Sequence, residues 1–182
     1  MMQGYEPISL SRGVQAIRVP SGDRIILPKG MQVMITQALG GSFTVNIGGN
    51  LARIANEDAD ALGRDPMEGP AVPDNPSDED IQAAVYRQLE TCFDPEIPIN
   101  IVDLGLVYDC DVRRATDTSW FVEIRMTLTA PGCGMGDVIA DDVRYSVELI
   151  PGVEQCDVEL VFEPPWGPEM MSEVARLQTG MM

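Results

Sequence analysis

The chain has 182 residues, 45% of them hydrophobic, a formal net charge of −17 and no histidine. That length supports one good core, or a domain with a smaller module, and no run approaches the roughly 20 apolar residues that span a bilayer. The missing histidine excludes Ser-His-Asp and Cys-His catalysis, HExxH zinc sites and any His-ligated metal within these residues.

The charge is unevenly placed. Residues 1–63 carry five basic and five acidic side chains, whereas residues 64–182 carry seven and twenty-four. So acidic a second part disfavours nucleic acid, whose binding rests on clustered Lys and Arg, and suits solubility or a basic partner protein. The start, MMQGYEPISL, has neither a basic n-region nor an apolar h-region, so a cytoplasmic protein without membrane association is expected. Cys92, Cys110, Cys133 and Cys156 form no CxxC pair, which predicts free thiols in place of a disulfide scaffold or zinc module.

In chain order, Gly13 to Ile54 alternates short apolar-patterned runs (VQAIRV, IIL, MQVMITQ, SFTVNI, LARI) with Asp and Gly turn signals. Four or five strands closing as a small all-β module are predicted over residues 1–63. Prolines 66, 70, 73 and 76 then predict an extended linker over 64–77. From residue 78 to 182 the expected order is helix, strand, strand, helix, strand, helix. Ser77 and Asp80 are positioned as a capping box, with Ile81, Ala84, Val85, Leu89 and Cys92 as the apolar stripe. Strands are predicted from Leu104 to Val112, from Trp120 to Thr129 and from Val153 to Phe162. The second alternates Phe121, Glu123, Arg125, Thr127 and Thr129 against Val122, Ile124, Met126 and Leu128; the third places Val158, Leu160 and Phe162 on one side. A helix bearing Met135, Val138, Ile139, Val143, Val147 and Ile150 lies between them, and a short last helix has Met170 or Met171, Val174 and Leu177 inward. The fold class expected is α/β: a compact sandwich with a small mixed sheet and three helices, preceded by the all-β module.

Cys133 is the leading candidate for chemistry. It sits where a strand hands over to a helix, between Gly132 and Gly134, which leave the backbone open to a ligand or partner. A helix start favours thiolate, the reactive and metal-binding form. A buried packing cysteine is the competing reading. Cys92 and Cys156 fit core positions, and Asp109 and Asp111 beside Cys110 oppose its ionisation. Asp103, Asp94 and Glu96 are acids that could do proton transfer or simply shape turns. Thr127 and Thr129 could donate hydrogen bonds at the site or serve as good β-formers. Trp166 after two prolines could shield the site or meet a partner.

Four ordered blocks, DPEIPINIVDLGLVYD, MTLTAPGCGMG, PGV and VELVFEPPW with MSEVARLQ, run from Asp94 to Gln178. Together they resemble the metal-sulfur cluster assembly factor family, in its SufT-type branch. The resemblance implies an α/β domain and a cytoplasmic accessory role in iron-sulfur cluster assembly, with no enzyme turnover. It maps the functional thiol onto Cys133, with Asp103, Glu96, Thr127 and Thr129 as supporting positions, to which Gly132 and Gly134 are added from their place beside the thiol; transient ligation of iron or a cluster by Cys133 is the reading that fits a single exposed thiol. Expected partners are assembly, carrier or client proteins. No tightly bound cofactor is expected. One cysteine per chain could hold a cluster only where a homodimer, a partner or a small thiol supplies the remaining ligands. Two rivals stand beside this reading: a thiol-dependent redox or acyl-transfer enzyme using Cys133 and Asp103, and a non-catalytic interaction module.

Overall fold

The turn signals of the first sixty residues close six antiparallel strands in the computed structural model, which describes residues 7–19, 21–39, 42–94, 97, 99–130 and 136–180. The strands are β1 (Ile8–Ser9), β2 (Val14–Val19), β3 (Arg24–Leu27), β4 (Gln32–Leu39), β5 (Ser42–Ile47) and β6 (Asn50–Ala55), ordered β1-β4-β5-β6-β2-β3. Five of them fall on the predicted runs. The two-residue β1 is too short to leave a periodic signal. Alternation sends Val14, Ala16, Phe43, Val45, Ala52 and Ile54 into one apolar core. A 3-10 helix, Asn56–Leu62, follows and ends on Gly63 in the left-handed region. The amide of the buried Asn56 then exchanges two hydrogen bonds with the backbone of Met67, at 2.6 and 3.0 Å.

The chain divides into two compact units, Met1–Glu68 and Gly69–Met182. The second opens with α1 (Asp78–Leu89), whose Ser77–Asp80 capping box forms as expected. It continues through β7 (Val107–Thr116), β8 (Ser119–Met126), α2 (Gly136–Glu148), β9 (Val153–Leu160), a 3-10 turn at Pro168–Met170 and α3 (Glu173–Thr179). The sheet is mixed: β7 and β8 are antiparallel, while β8 and β9 are parallel. A parallel pair needs a crossover, and α2 supplies it. Helices α1 and α2 pack along β7 and β9. Trp120, Val122, Ile124, Met126 and Cys156 are buried there beside Val85, Leu89, Val143 and Val147. At one end of this core the Trp120 indole N–H donates to Asp78 at 2.9 Å, and Arg114 both pairs with Asp78 and lies over the Trp120 ring.

Several predicted placements are corrected. The second strand stops at Met126, not Thr129. The Thr127 N–H donates to the Leu106 carbonyl at 2.8 Å, drawing the chain off the alternating track. Thr127 is therefore buried, not on the polar face. Phe162 lies past the end of β9 and is exposed. In α3, Val174 and Leu177 face outward at 59% and 66% exposure and Ala175 is buried; Met171, just before the helix, is buried as expected. The Ser172 N–H donates to the Asp103 carbonyl at 2.8 Å, which sets the rotation of the helix and brings the small Ala175 against the domain.

Candidate functional site

The site is assembled from two loops that the sheet brings to one end. The first runs from the end of α1 to β7 and contains Asp94, Asn100 and Asp103. Asn100 is its organiser. Its side-chain oxygen accepts from the N–H groups of Val102 and Asp103, while its amide donates to the Asp103 carboxylate at 2.7 Å. Such Asx geometry lets a side chain satisfy backbone donors that no helix or sheet supplies. Asp103 is half-buried, and its carbonyl holds α3. It is therefore tied into the turn at both ends of the residue. Gly105, at φ +76°, lets the loop turn beneath the Met170 backbone, which any Cβ there would strike. Trp166 secures the other side through a 2.6 Å hydrogen bond from its indole N–H to the Leu104 carbonyl.

The second loop leaves β8 at Thr127 and leads to α2. Thr129 is half-buried there, and its hydroxyl donates to the carboxylate of Asp94 at 3.3 Å. Asp94 is only 6% exposed and also accepts from the Ile97 N–H at 2.9 Å. A buried carboxylate must be held by such donors, because its desolvation is costly otherwise. The Asp94–Thr129 bond is a side-chain link between the two loops. Sequence reasoning weighed Asp94 as a proton-transfer acid or a turn former, not as a link between loops, and overlooked Asn100. The signals were local: Asp94 opens the DPE turn, and Asn100 precedes Asp103 by the spacing of an Asx turn.

Of the predicted site residues, Asp103, Thr127 and Thr129 are therefore on these two loops. Cys133, Glu96, Gly132 and Gly134 lie outside the described residues. The helix after the turn begins at Gly136, where an added Cβ would press on the side chains of Leu128 and Leu160. The other three thiols are buried. Cys92 approaches the Gln88 carbonyl and the Ser146 hydroxyl at 3.6 and 3.7 Å. Burial, reinforced by Asp109 and Asp111, pushes the Cys110 thiol up to about 11. Burial, with Glu148 next in weight, pushes Cys156 up to about 12. Both are packing residues with little thiolate, as their sequence contexts predict. Among the described residues, no three His, Cys, Asp or Glu side chains converge to hold a metal ion.

This two-layer arrangement, a small mixed sheet with helices on one face and a strand-to-helix loop following β8, has a solved counterpart. The crystal structure of a domain of unknown function, DUF59, from Bacillus anthracis matches with a TM-score of 0.51 at 35% identity, covering 57% of this chain and 95% of that one. A Fe-S protein maturation auxiliary factor of Porphyromonas gingivalis is 47% identical over 98 residues, 54% of this chain and 90% of that protein. The Fe-S protein maturation auxiliary factor SufT of Staphylococcus aureus is 41% identical over 89 residues, 49% of this chain and 97% of that protein. The model of the iron-sulfur cluster assembly protein family matches residues 82–160, all within the second unit. The chain belongs to the iron-sulfur cluster assembly protein family.

Proposed function

We propose that this protein is an accessory factor in the maturation of iron-sulfur proteins, that it works without enzymatic turnover, and that Cys133 is its functional thiol. The observation that carries the reading is the 47% identity to a maturation auxiliary factor along 90% of that protein's length. Three of the four thiols are buried, which leaves Cys133 as the cysteine to assign to exchange with a partner. Asp94, Thr129, Asn100 and Asp103 fix the loops on which that exchange depends. In this role the iron or cluster is cargo, shared for a time with ligands from another protein, a second copy or a small thiol. A single thiolate binds such cargo weakly, and weak binding favours passing it on. Clients, carriers or assembly proteins are the partners, and the cytoplasm is the compartment. No described helix is long and apolar enough to cross a membrane.

The test is genetic. The gene is deleted, restored as wild type or as Cys133→Ser, and a soluble iron-sulfur enzyme is assayed under iron limitation. Lowered activity in the deletion, rescued by the wild type and not by the variant, is the expected result. Full rescue by Cys133→Ser removes the thiol from the mechanism, and an unaffected deletion strain overturns the maturation role.

A further inference from the structure

The helices cover one face of the β7-β8-β9 sheet and leave the other open. Strand pairing arranges the side chains of that open face in rows. Asp111, Glu123 and Asp157 stand directly opposite one another across all three strands. The next row is Asp109, Arg125 and Glu159. Like charges directly opposite in a sheet are destabilising. Arg113 offsets part of this through Asp111 at 3.1 Å and Glu123 at 2.7 Å, and Arg125 reaches Glu159 at 3.4 Å. Five carboxylates then face two arginines. A cleft of about 480 Å³ runs between these rows.

The face does not end as an acidic surface. Val107 pairs with Met126 and Asp109 with Arg125, so Tyr108 is an extra, bulged residue in β7. A bulge re-aims a side chain. The Tyr108 hydroxyl donates to the Pro164 carbonyl at 2.7 Å. With Val107, Val161, Pro164 and Met170, Tyr108 lines a second cleft of about 580 Å³. The two clefts share Asp109 and Arg125, so they form one groove, acidic and then apolar.

We infer that this open sheet face binds an extended basic segment of a partner protein, with two Lys or Arg side chains over the carboxylate rows and an apolar side chain in the Tyr108–Met170 cleft. Charge complementarity selects the occupant. A second copy of a chain carrying −17 would bring carboxylates onto carboxylates, and nucleic acid would be repelled. Geometry selects the spacing. Along a strand, same-face residues repeat at about 6.8 Å, which matches the step from one row to the next and on to the apolar cleft. The pattern is therefore basic-x-basic-x-apolar. This deepens the maturation reading by giving its partner a recognition chemistry, and it rests on that reading for what the partner is.

The experiment titrates the full chain into fluorescein-labelled peptides, followed by anisotropy at several salt concentrations. The probe contains Lys-Ser-Lys-Ser-Leu between glycines. The control has the same composition as Ser-Ser-Lys-Lys-Leu, whose lysines point to opposite faces of an extended chain. The variant is Asp111→Asn/Asp157→Asn, two exposed isosteric changes that leave the Arg113–Glu123 pair in place. Expected are a preference for the probe, about tenfold weaker binding by the variant with a shallower salt dependence, and a higher denaturation midpoint for the variant, since it relieves like-charge rows. Replacing the probe's Leu by Ser weakens binding with the salt dependence unchanged. Equal binding of probe and control, or of wild type and variant, overturns the inference. If the variant loses the peptide and also fails to restore the iron-sulfur enzyme, the assignment of this face to maturation is supported; if it loses the peptide yet restores the enzyme fully, that assignment fails. Should the deletion itself leave iron-sulfur enzymes unaffected, the maturation role fails, and the peptide titration still decides whether the face binds basic segments.

Discussion

Thiol reactivity in the native protein separates the packing cysteines from Cys133, the thiol proposed to be functional, and the structure sets the size of the protection at the packing sites. A thiol with the ordinary value of 9.0 is about 10% thiolate at pH 8. At about 11, Cys110 is roughly 0.1% thiolate, and at about 12, Cys156 is roughly 0.01%. Ionisation alone therefore slows alkylation about 100-fold and 1,000-fold, before burial hinders the reagent further. Cys92, 2% exposed, is protected by access. The assay is a time course with iodoacetamide at pH 8 on the folded chain, read by peptide mass spectrometry. One label per chain, at Cys133, is expected long before any at the other three sites. Labelling of Cys110 or Cys156 at the rate of an unfolded control would refute the packing argument. The same shifts carry a stability signature. Both thiols are held protonated in the folded state above their unfolded value, so their contribution is complete below about pH 9. It is lost as pH rises from there toward about 11 and 12, by about 1.4 kcal/mol per pH unit for each thiol over that window.

Two further predictions concern the scaffold. Both tryptophans, Trp120 and Trp166, lie in Gly69–Met182, so their fluorescence reports that unit alone. Gly105→Ala forces a left-handed backbone on alanine and drives its Cβ into the Met170 carbonyl, so urea unfolding followed by tryptophan fluorescence should show a loss of roughly 2–4 kcal/mol; a loss below about 0.5 kcal/mol would mean the loop relaxes freely. The Trp120 indole N–H, with Arg114 second, holds the Asp78 carboxyl below its ordinary 3.8. Its contribution is therefore complete above that value and is lost as pH falls through the depressed one, so Asp78→Asn should flatten the acid limb of the urea-midpoint profile below about pH 4.

What the sequence revealed depended on periodicity. Strong alternation in SFTVNI and WFVEIRM, and helical spacing from Val138 to Val147, carried enough information to place β5, β8 and α2. The capping box at Ser77 was equally legible, because it is a contact between residues three apart. The misses arose where a distant contact overrode a local pattern. Thr127 continues the polar phase of β8 in sequence, yet a hydrogen bond to Leu106 ends the strand one residue earlier. Val174 and Leu177 have the spacing of a core stripe, but the bond from Ser172 to Asp103, 69 positions away in the sequence, turns them outward. The Asp94–Thr129 bond spans 35 residues and had no local signature at all.

The topology offers a route by which the proposed thiol and the proposed docking groove would act together. β8, α2 and β9 form a crossover unit with a parallel pair, and in such sheets ligands meet the chain beyond the carboxyl ends of the strands. The described neighbours of Cys133 are at that end: the chain leaves β8 after Met126, and Gly136 starts α2 against Leu128 and Leu160, the last residue of β9. The apolar end of the groove is bounded there too, by Val107, which pairs with Met126, and by Val161, whose N–H donates to the Met126 carbonyl at 2.8 Å. A basic segment laid along the open face would thus run toward the end of the sheet from which the Cys133 turn departs. Carboxylates would draw the partner onto the sheet, the apolar cleft would set how far it advances, and the ligands it brings would arrive at the end of the sheet where β8 and β9 finish. Affinity would then reside in the sheet face and exchange in the thiol, so neutralising the rows should weaken partner binding without changing Cys133 alkylation, while Cys133→Ser should leave peptide affinity intact.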